Sequence, residues 1–471
     1  MVLVPLPLLS PTNKDRSALF SSGPSSRKLR VVFDASLGIE DDGAQQLHAL
    51  AKHDGVEEFR YLGILDDGFG GEDFSGCGPG VPGVWARIDE PEARTNGTDG
   101  VVYWGPNLTS TPGIAALWGD AAQTARNSAS DMSYPNLTPP EATHQRWRDV
   151  VALRAASAIH GDLFVTERPY LLLNSPFPND EAVPCTPEQA LQFIGMYLRV
   201  TGRPTYTCWL DGGKLTADSR WGFYTSAARG SVNVSSVIGP PSSGTEANAG
   251  FLPYAVIRYI SGALWGRDDV HSVLNSSPLR NDGAAAHHLV GVVLVNLLAA
   301  CDASAVLVND LLTLGLKGQA VAWQSTTFTK QLKTKAPHVW QHFESMNGSK
   351  WVELLRLLRN TVHSVPLLPY VGAPTLSSPM AIAGQAKAAE MHKAMSELHS
   401  TSLDHAVWET PSHGTSLLPG PLVDVLAHEI AGILNAVMEG LRQELSLPSP
   451  GAATEPDTLE TRRLAVCQSG L

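Results

Sequence analysis

The sequence predicts an α/β domain built on a mainly parallel sheet, followed by an all-α domain. Three observations carry this. In the first half, short apolar runs at 29–36 (LRVVFDAS), 59–65 (FRYLGIL) and 162–167 (DLFVTE) alternate with helical patterns, the rhythm of a wound sheet. Beyond a Gly-, Pro- and Ser-rich stretch at 238–250, every patterned segment reads helical and none alternates like a strand. Finally, 471 residues exceed one common domain length, and 43% hydrophobic residues supply a large core.

Taken in order, residues 1–28, rich in Ser, Pro, Asn and Lys, read as a disordered tail. The first strand opens at Leu29 and ends at Asp34, and a helix is expected within 36–60 around QQLHALAKH. A second strand follows at 59–65, then a long Gly-, Pro- and Asn-rich insertion at 68–140 whose elements the pattern does not place. From Pro140, Trp147, Val150, Val151, Arg154 and Ile159 fall at helical spacing, and Gly161 is the expected C-cap. The strand DLFVTE comes at once. The helix at 186–202 has Thr186 as N-cap and Pro187 at its first position. The α/β domain is thus expected over 29–237 and a linker over 238–250. An all-α domain over 251–445 contains helices at 252–265, 284–301, 303–315, 351–364, 380–399 and 420–445, and a disordered tail is expected over 446–471.

Composition narrows the function. The 34 Lys and Arg against 46 Asp and Glu leave a net charge of −12, which excludes a basic coat for nucleic acid. An enzyme reaching phosphates through metal ions remains open. Five scattered cysteines with no C-x-x-C spacing give neither a disulfide framework nor a zinc signature, and point to a reducing cytoplasm. The start MVLVPLPLLSP lacks a basic flank and is cut by Pro5 and Pro7, so it does not read as a signal segment. The most apolar run, 289–301, is shorter than the roughly 20 residues of a spanning helix. Asn296 interrupts it, and it reads as a buried core helix with no membrane role.

The candidate chemistry lies in two pieces. Asp34 ends the first strand, and Glu167 ends DLFVTE. Sites in open α/β sheets form outside the carboxyl ends of the strands, so both are expected in one crevice. Asp149, near the start of the helix leading into DLFVTE, can reach it too. Carboxylates held together repel unless a cation neutralises them, and oxygen-rich clusters suit Mg²⁺ or Mn²⁺.

VVFDAS (31–36) and RDVVALRAASAIHGDLFVTE (148–167) resemble the first and third blocks of PIN-domain nucleases: an apolar strand ending in Asp with Ser two positions on, then a helix opened by Asp, a Gly, and a strand ending in Thr and an acid. The matching residues are Asp34, Ser36, Asp149, Asp162, Thr166 and Glu167, with Glu167 standing where the pattern has Asp. The resemblance implies a PIN-like fold and a metal-dependent ribonuclease site holding Mg²⁺ or Mn²⁺. Asp34, Asp149 and Glu167 would be catalytic and metal-binding, Asp162 and Asp66 would complete the shell, and Ser36 and Thr166 would orient a carboxylate or water. The middle acid is open between Asp66 and Asp67, with Glu57 and Glu58 as rivals. In the helical half, Arg356 and His363 resemble the R-x4-6-H motif of HEPN-type ribonucleases. They stand seven positions, about two turns, apart on one helical face.

The expected function is cleavage of RNA phosphodiesters with a carboxylate-bound divalent cation. The alternative is a non-catalytic binding or regulatory protein with a degenerate PIN-like domain, whose helical domain mediates assembly into a homo-oligomer.

Overall fold

The computed structural model describes residues 6–9, 19–20, 27–34, 37, 47, 55–64, 85–88, 99–104, 114–116, 132–158, 160–174, 182–202, 207–208, 214–215, 220–234, 237, 251–276, 284–364, 368–369, 380–381, 385–398, 407–410 and 414–447. Side chains at 85–116 and some other positions within these ranges are not described. The chain divides into two compact units, one over 6–203 and the other from 204 onward.

The first unit is α/β. Strands β1 (Leu29–Asp34), β2 (Val56–Ile64), β3 (Trp85–Ile88), β4 (Asp99–Trp104), β5 (Ile114–Ala116), β6 (Leu163–Val165) and β7 (Val183–Cys185) form one sheet in the order β5-β4-β3-β2-β1-β6-β7. From β3 to β7 all neighbours are parallel, while β4 and β5 add an antiparallel edge. The helices are α1 (Pro139–Ala158), α2 (Pro169–Asn174) and α3 (Pro187–Val200). Strands β1 and β6 are buried along their length, as central parallel strands are. β1 lies between β2 and β6, so the chain leaves it in opposite directions, and the gap between β1 and β6 is the topological switch point.

Local signals explain several elements. Thr186 caps α3 with a full capping box: its hydroxyl accepts from the Gln189 amide at 3.2 Å, and the Gln189 side chain accepts from the Thr186 amide at 3.0 Å. At the end of α1 the left-handed residue is His160 (φ 57°), not the expected Gly161. Gly161 is required for space, since a Cβ there would meet Val32 Cγ2 and the Ala156 carbonyl oxygen at 2.8 Å.

The second unit is mainly helical: α4 (Arg220–Ser231), α5 (Phe251–Leu274), α6 (Ala284–Leu311), α7 (Thr326–Lys335), α8 (Pro337–Ser345), α9 (Gly348–Ser364), α10 (Gln385–Ser396) and α11 (Pro419–Glu444). α5 and α6 approach closely where Gly262 meets the Asn296 side chain and Gly266 meets Val293. The stretches expected as separate helices at 284–301 and 303–315 form one helix through Asp302. Trp323 stacks on Phe343 with ring centroids 4.2 Å apart, and Trp351 is buried. Both α6 and α11 are long and apolar enough to cross a membrane by length and composition, and over half of each apolar window is buried in the protein.

Three expectations are corrected. The second unit is not all-α: strands β10 (Leu368–Pro369), β11 (Met380–Ala381), β12 (Val407–Thr410) and β13 (Gly414–Leu417) form an antiparallel sheet in the order β10-β11-β13-β12, and β8 (Thr207–Cys208) pairs with β9 (Lys214–Leu215). Strands of two to four residues are too short to show alternation in a sequence. The boundary lies near 203 rather than 238–250, because α4 packs on α5: Trp221 and Tyr224 meet Trp265, and the Tyr224 hydroxyl donates to Asp268 at 2.7 Å. Residues 1–28 are not simply a tail, since Leu9 and Leu19 are fully buried. The expected linker 238–250 and most of the expected tail 446–471, from 448 onward, lie outside the described residues.

Candidate functional site

The switch point places Asp34 at the carboxyl end of β1, beside the segment Thr166–Arg168 that leaves β6. Asp34 is buried and accepts from the Thr166 hydroxyl at 3.0 Å. Asp149 reaches the same place from α1 and is fully buried. Between them stands Arg168. Its Nε donates to Asp34 Oδ2 at 2.5 Å, and its Nη1 donates to Asp149 Oδ1 at 2.9 Å. Its side chain is 17% exposed, against 1% for Asp34 and 0% for Asp149.

Further groups complete the shell. Gln145, one turn before Asp149, donates to Asp149 Oδ1 at 3.1 Å, and the Tyr134 hydroxyl donates to Asp149 Oδ2. Tyr61 lies beside Asp34 in the β1–β2 register, with the Arg168 guanidinium carbon 5.9 Å from its ring centre. Burial raises the Asp149 carboxyl above its ordinary value, against the pull of Tyr134, Arg168 and Gln145. Burial opposes the charge on Arg168, but its bond to Asp34 and the charges of Asp34 and Asp149 outweigh this and raise it further. Burial pushes the Tyr61 and Tyr134 hydroxyls well above the usual phenol range. The site is thus two buried carboxyl groups bridged by one guanidinium.

The sequence-expected residues fall out unevenly. Asp34 and Asp149 meet, and Thr166 holds Asp34. Glu167 is exposed and is not brought into the cluster, which corrects its expected catalytic role. The reason is parity: in extended chain, residues two apart share a side, so Thr166 and Arg168 face Asp34 while Glu167 faces away. Asp162 is corrected too. It sits at the amino end of β6, where Arg27 forks onto it at 2.7 and 2.9 Å and the Arg30 amide donates at 2.9 Å. Glu57, a rival for the middle acid, pairs with Arg30 at 3.2 Å in the amino half of β2. Asp66, Asp67 and Ser36 lie outside the described residues. Arg356 is half-buried and paired with Glu353 at 2.5 Å on its own helix, and the His363 side chain is outside the described set.

Among the described residues, those gathered at this site do not offer Mg²⁺ or Mn²⁺ a free set of ligands. Asp34 Oδ2 and both Asp149 oxygens already take donors from Arg168, Thr166, Gln145 and Tyr134, and a divalent ion would stand next to a guanidinium. Among the described residues, no group of three His, Cys, Asp or Glu side chains is placed to hold a metal. Sequence reasoning passed over Arg168, Tyr134, Tyr61 and Gln145. For Arg168 a signal existed in its spacing from Thr166, and for Gln145 in its i,i+4 spacing from Asp149.

No family model, no curated protein and no solved structure matches this chain.

Proposed function

We propose that the protein is a binding or regulatory protein whose first unit is a degenerate PIN-like domain, with its sheet-edge acids closed by an internal cation. The observation that carries this reading is Arg168, which pairs with Asp34 and Asp149 together. A metal-dependent phosphodiesterase needs those carboxylates free for the ion that bridges the phosphate. Here one side chain of the same chain supplies the positive charge. The crevice at the β1–β6 switch point remains the place where a ligand binds, since backbone and side chains diverge there. In this reading the helical unit mediates assembly into a homo-oligomer and the protein works in the cytoplasm.

The second reading is the Mg²⁺- or Mn²⁺-dependent ribonuclease expected from the sequence. It is favoured by one observation: Asp34 and Asp149 converge on a single guanidinium from separate elements. It requires an ion and RNA to displace Arg168. The deciding experiment incubates the purified chain with single-stranded and structured RNA in Mg²⁺, in Mn²⁺ and in chelator. The expected outcome is no metal-dependent cleavage. Cleavage that chelation abolishes, and that Asp34→Asn removes, would overturn the proposal and restore the nuclease.

A further inference from the structure

Between Asp310 and Glu344 the chain carries no carboxylate side chain, yet it carries Lys317, Lys330, Lys333 and Lys335. Every residue of that stretch is described, and all four lysines are exposed. Lys330, Lys333 and Lys335 stand on α7, and Lys317 leads into the turn Gly318–Ala320 that packs against α7. Lys333 Nζ lies 4.5 Å from the centre of the Trp340 ring, a contact that joins α7 to α8. Among the described residues none of the four has an ion-pair partner. By contrast Arg220, Arg267, Arg356 and Arg442 of the same unit each meet a carboxylate. The α11 acids beside α8 are engaged elsewhere: Glu444 accepts from the His338 amide at 2.6 Å, and Glu439 accepts from Arg442 and Gln443.

Helix polarity accounts for part of this. Cations in a last turn complement the negative end of a helix, which covers Lys333 and Lys335. Lys317 lies before α7 and Lys330 in its middle, outside that effect. The net charge of −12 excludes a basic coat over the whole surface but not a local patch, because charges farther off than about 10 Å are screened at about 0.1 M salt. The composition of the patch then selects the partner. Its other exposed side chains include Gln319, Gln324, Thr326, Thr327, Thr334 and Gln341, and no large apolar side chain between 311 and 343 is exposed. Stable binding to a membrane surface calls for an apolar face, and protein interfaces centre on aromatic or Arg anchors and are depleted in Lys. Lys, Thr and Gln are instead the groups that contact phosphate oxygens without reading bases.

We propose that Lys317, Lys330, Lys333 and Lys335 form a site for the phosphate backbone of a nucleic acid, bound without base readout. Lys330 to Lys335 covers about 7.5 Å of helix axis, the length of roughly two to three phosphates of one strand at about 3.4 Å each. An ammonium is a hydrated point charge on a flexible stem, which fits contacts that fix position and not sequence. The site lies in the second unit and involves none of Asp34, Asp149 and Arg168. It goes beyond the binding role proposed above by giving the chemistry of a partner.

The test follows the fluorescence anisotropy of a labelled oligouridylate titrated with the full chain, in chelator so that no metal-dependent cleavage interferes. Near physiological salt the expected Kd is about 10⁻⁴–10⁻⁶ M. Binding should weaken as salt rises, with a log–log slope of about −2 to −3 for three or four neutralised phosphates. Lys317→Gln, Lys330→Gln and Lys335→Gln combined should weaken binding about tenfold or more and bring the slope to about −1. The melting temperature should hold, since these ammonium groups have no partner among the described residues. Lys333 is kept because it packs on Trp340. Lys393→Gln, on α10 and outside the patch, should bind like the native chain. Should the combined variant melt early, Lys330→Gln alone should still reduce the slope by about 0.7. No binding, a salt slope near zero, or native affinity in the combined variant would overturn the proposal. Tighter binding of labelled polyglutamate than of oligouridylate would give the patch to an acidic protein and overturn it too. Sedimentation with phosphatidylserine vesicles in the absence of oligouridylate binding would do the same.

Discussion

Replacing Arg168 with Ala should open the α/β unit at its centre. The substitution removes ion pairs of 2.5 Å to Asp34 and 2.9 Å to Asp149 and leaves both carboxylates buried beneath a vanished side chain. Breaking a buried pair by deleting one partner costs about 3–5 kcal/mol, because the remaining charge keeps its desolvation penalty. Loss of the Tyr61 contact adds to this, and admission of water subtracts from it, so about 3–5 kcal/mol is the expected total. The cost should shrink in acid, because orphaned carboxylates regain neutrality by taking protons. Arg168→Lys should fall between, since an ammonium keeps the charge without the fork that reaches both acids. The assay is urea unfolding, with amide exchange in peptides covering β1, α1 and β6 to assign the change to this unit. Asp34→Asn in the Arg168→Ala background should recover part of the loss. A loss under about 1 kcal/mol, with no pH dependence, would place Arg168 among ordinary surface ion pairs and sink the charge-closure reasoning.

Two further perturbations address the helical unit. Asp424, buried on α11, meets Arg267 at 2.8 Å and His271 at 2.9 Å, both on α5. Burial raises its carboxyl, but the His271 and Arg267 charges prevail and hold it below its ordinary 3.8. A depressed folded value contributes stability that is present above 3.8 and lost as pH falls through the folded value. Asp424→Asn should therefore cost about 3–5 kcal/mol at pH 7, with the gap to the native chain closing in acid. Tryptophan fluorescence during urea unfolding at several pH values measures it, and a pH-independent gap would contradict the assignment. Gly440→Ala gains up to ~1 kcal/mol of helix propensity, yet should destabilise by about 1–3 kcal/mol net from overpacking. Its Cβ would meet Val339 Cα at 2.6 Å and the His338 carbonyl oxygen at 3.0 Å, both backbone atoms that cannot step aside. A raised melting temperature would refute that close approach.

The parts of the fold visible in the sequence are those encoded over a few neighbouring residues. The strand into Asp34 follows from a buried apolar run, α3 from Thr186 and Pro187, and α1 from its spaced apolar positions. What escaped was encoded over long separations or in very short pieces. β10 to β13 present two to four residues each, fewer than a period of two needs to show itself. The membership of α4 depends on Trp221 and Tyr224 finding Trp265, a contact across some 40 residues that local pattern does not contain. Leu9 and Leu19 are buried likewise where the local pattern marks neither helix nor strand.

The site shows a sharper version of the same limit. Acids at strand ends were legible as acids, but not which end of the strand each occupies or what neutralises it. Asp162 and Glu167 bracket β6, and a three-residue strand sets its ends about 10 Å apart, so they were never candidates for one crevice. More generally, an acid cluster signals a metal only when the chain provides no cation of its own. This chain provides one repeatedly: Arg168 for Asp34 and Asp149, Arg27 for Asp162, Arg267 for Asp424, and Arg220 for Asp269. Guanidinium is suited to that task because it stays charged when buried and its fork matches two carboxylate oxygens. An arginine two residues beyond a strand-end Thr therefore changes the reading of an acid on the adjacent strand. Charge balance across Asp34, Asp149 and Arg168 decides the chemistry of this sheet edge more than the acids do alone.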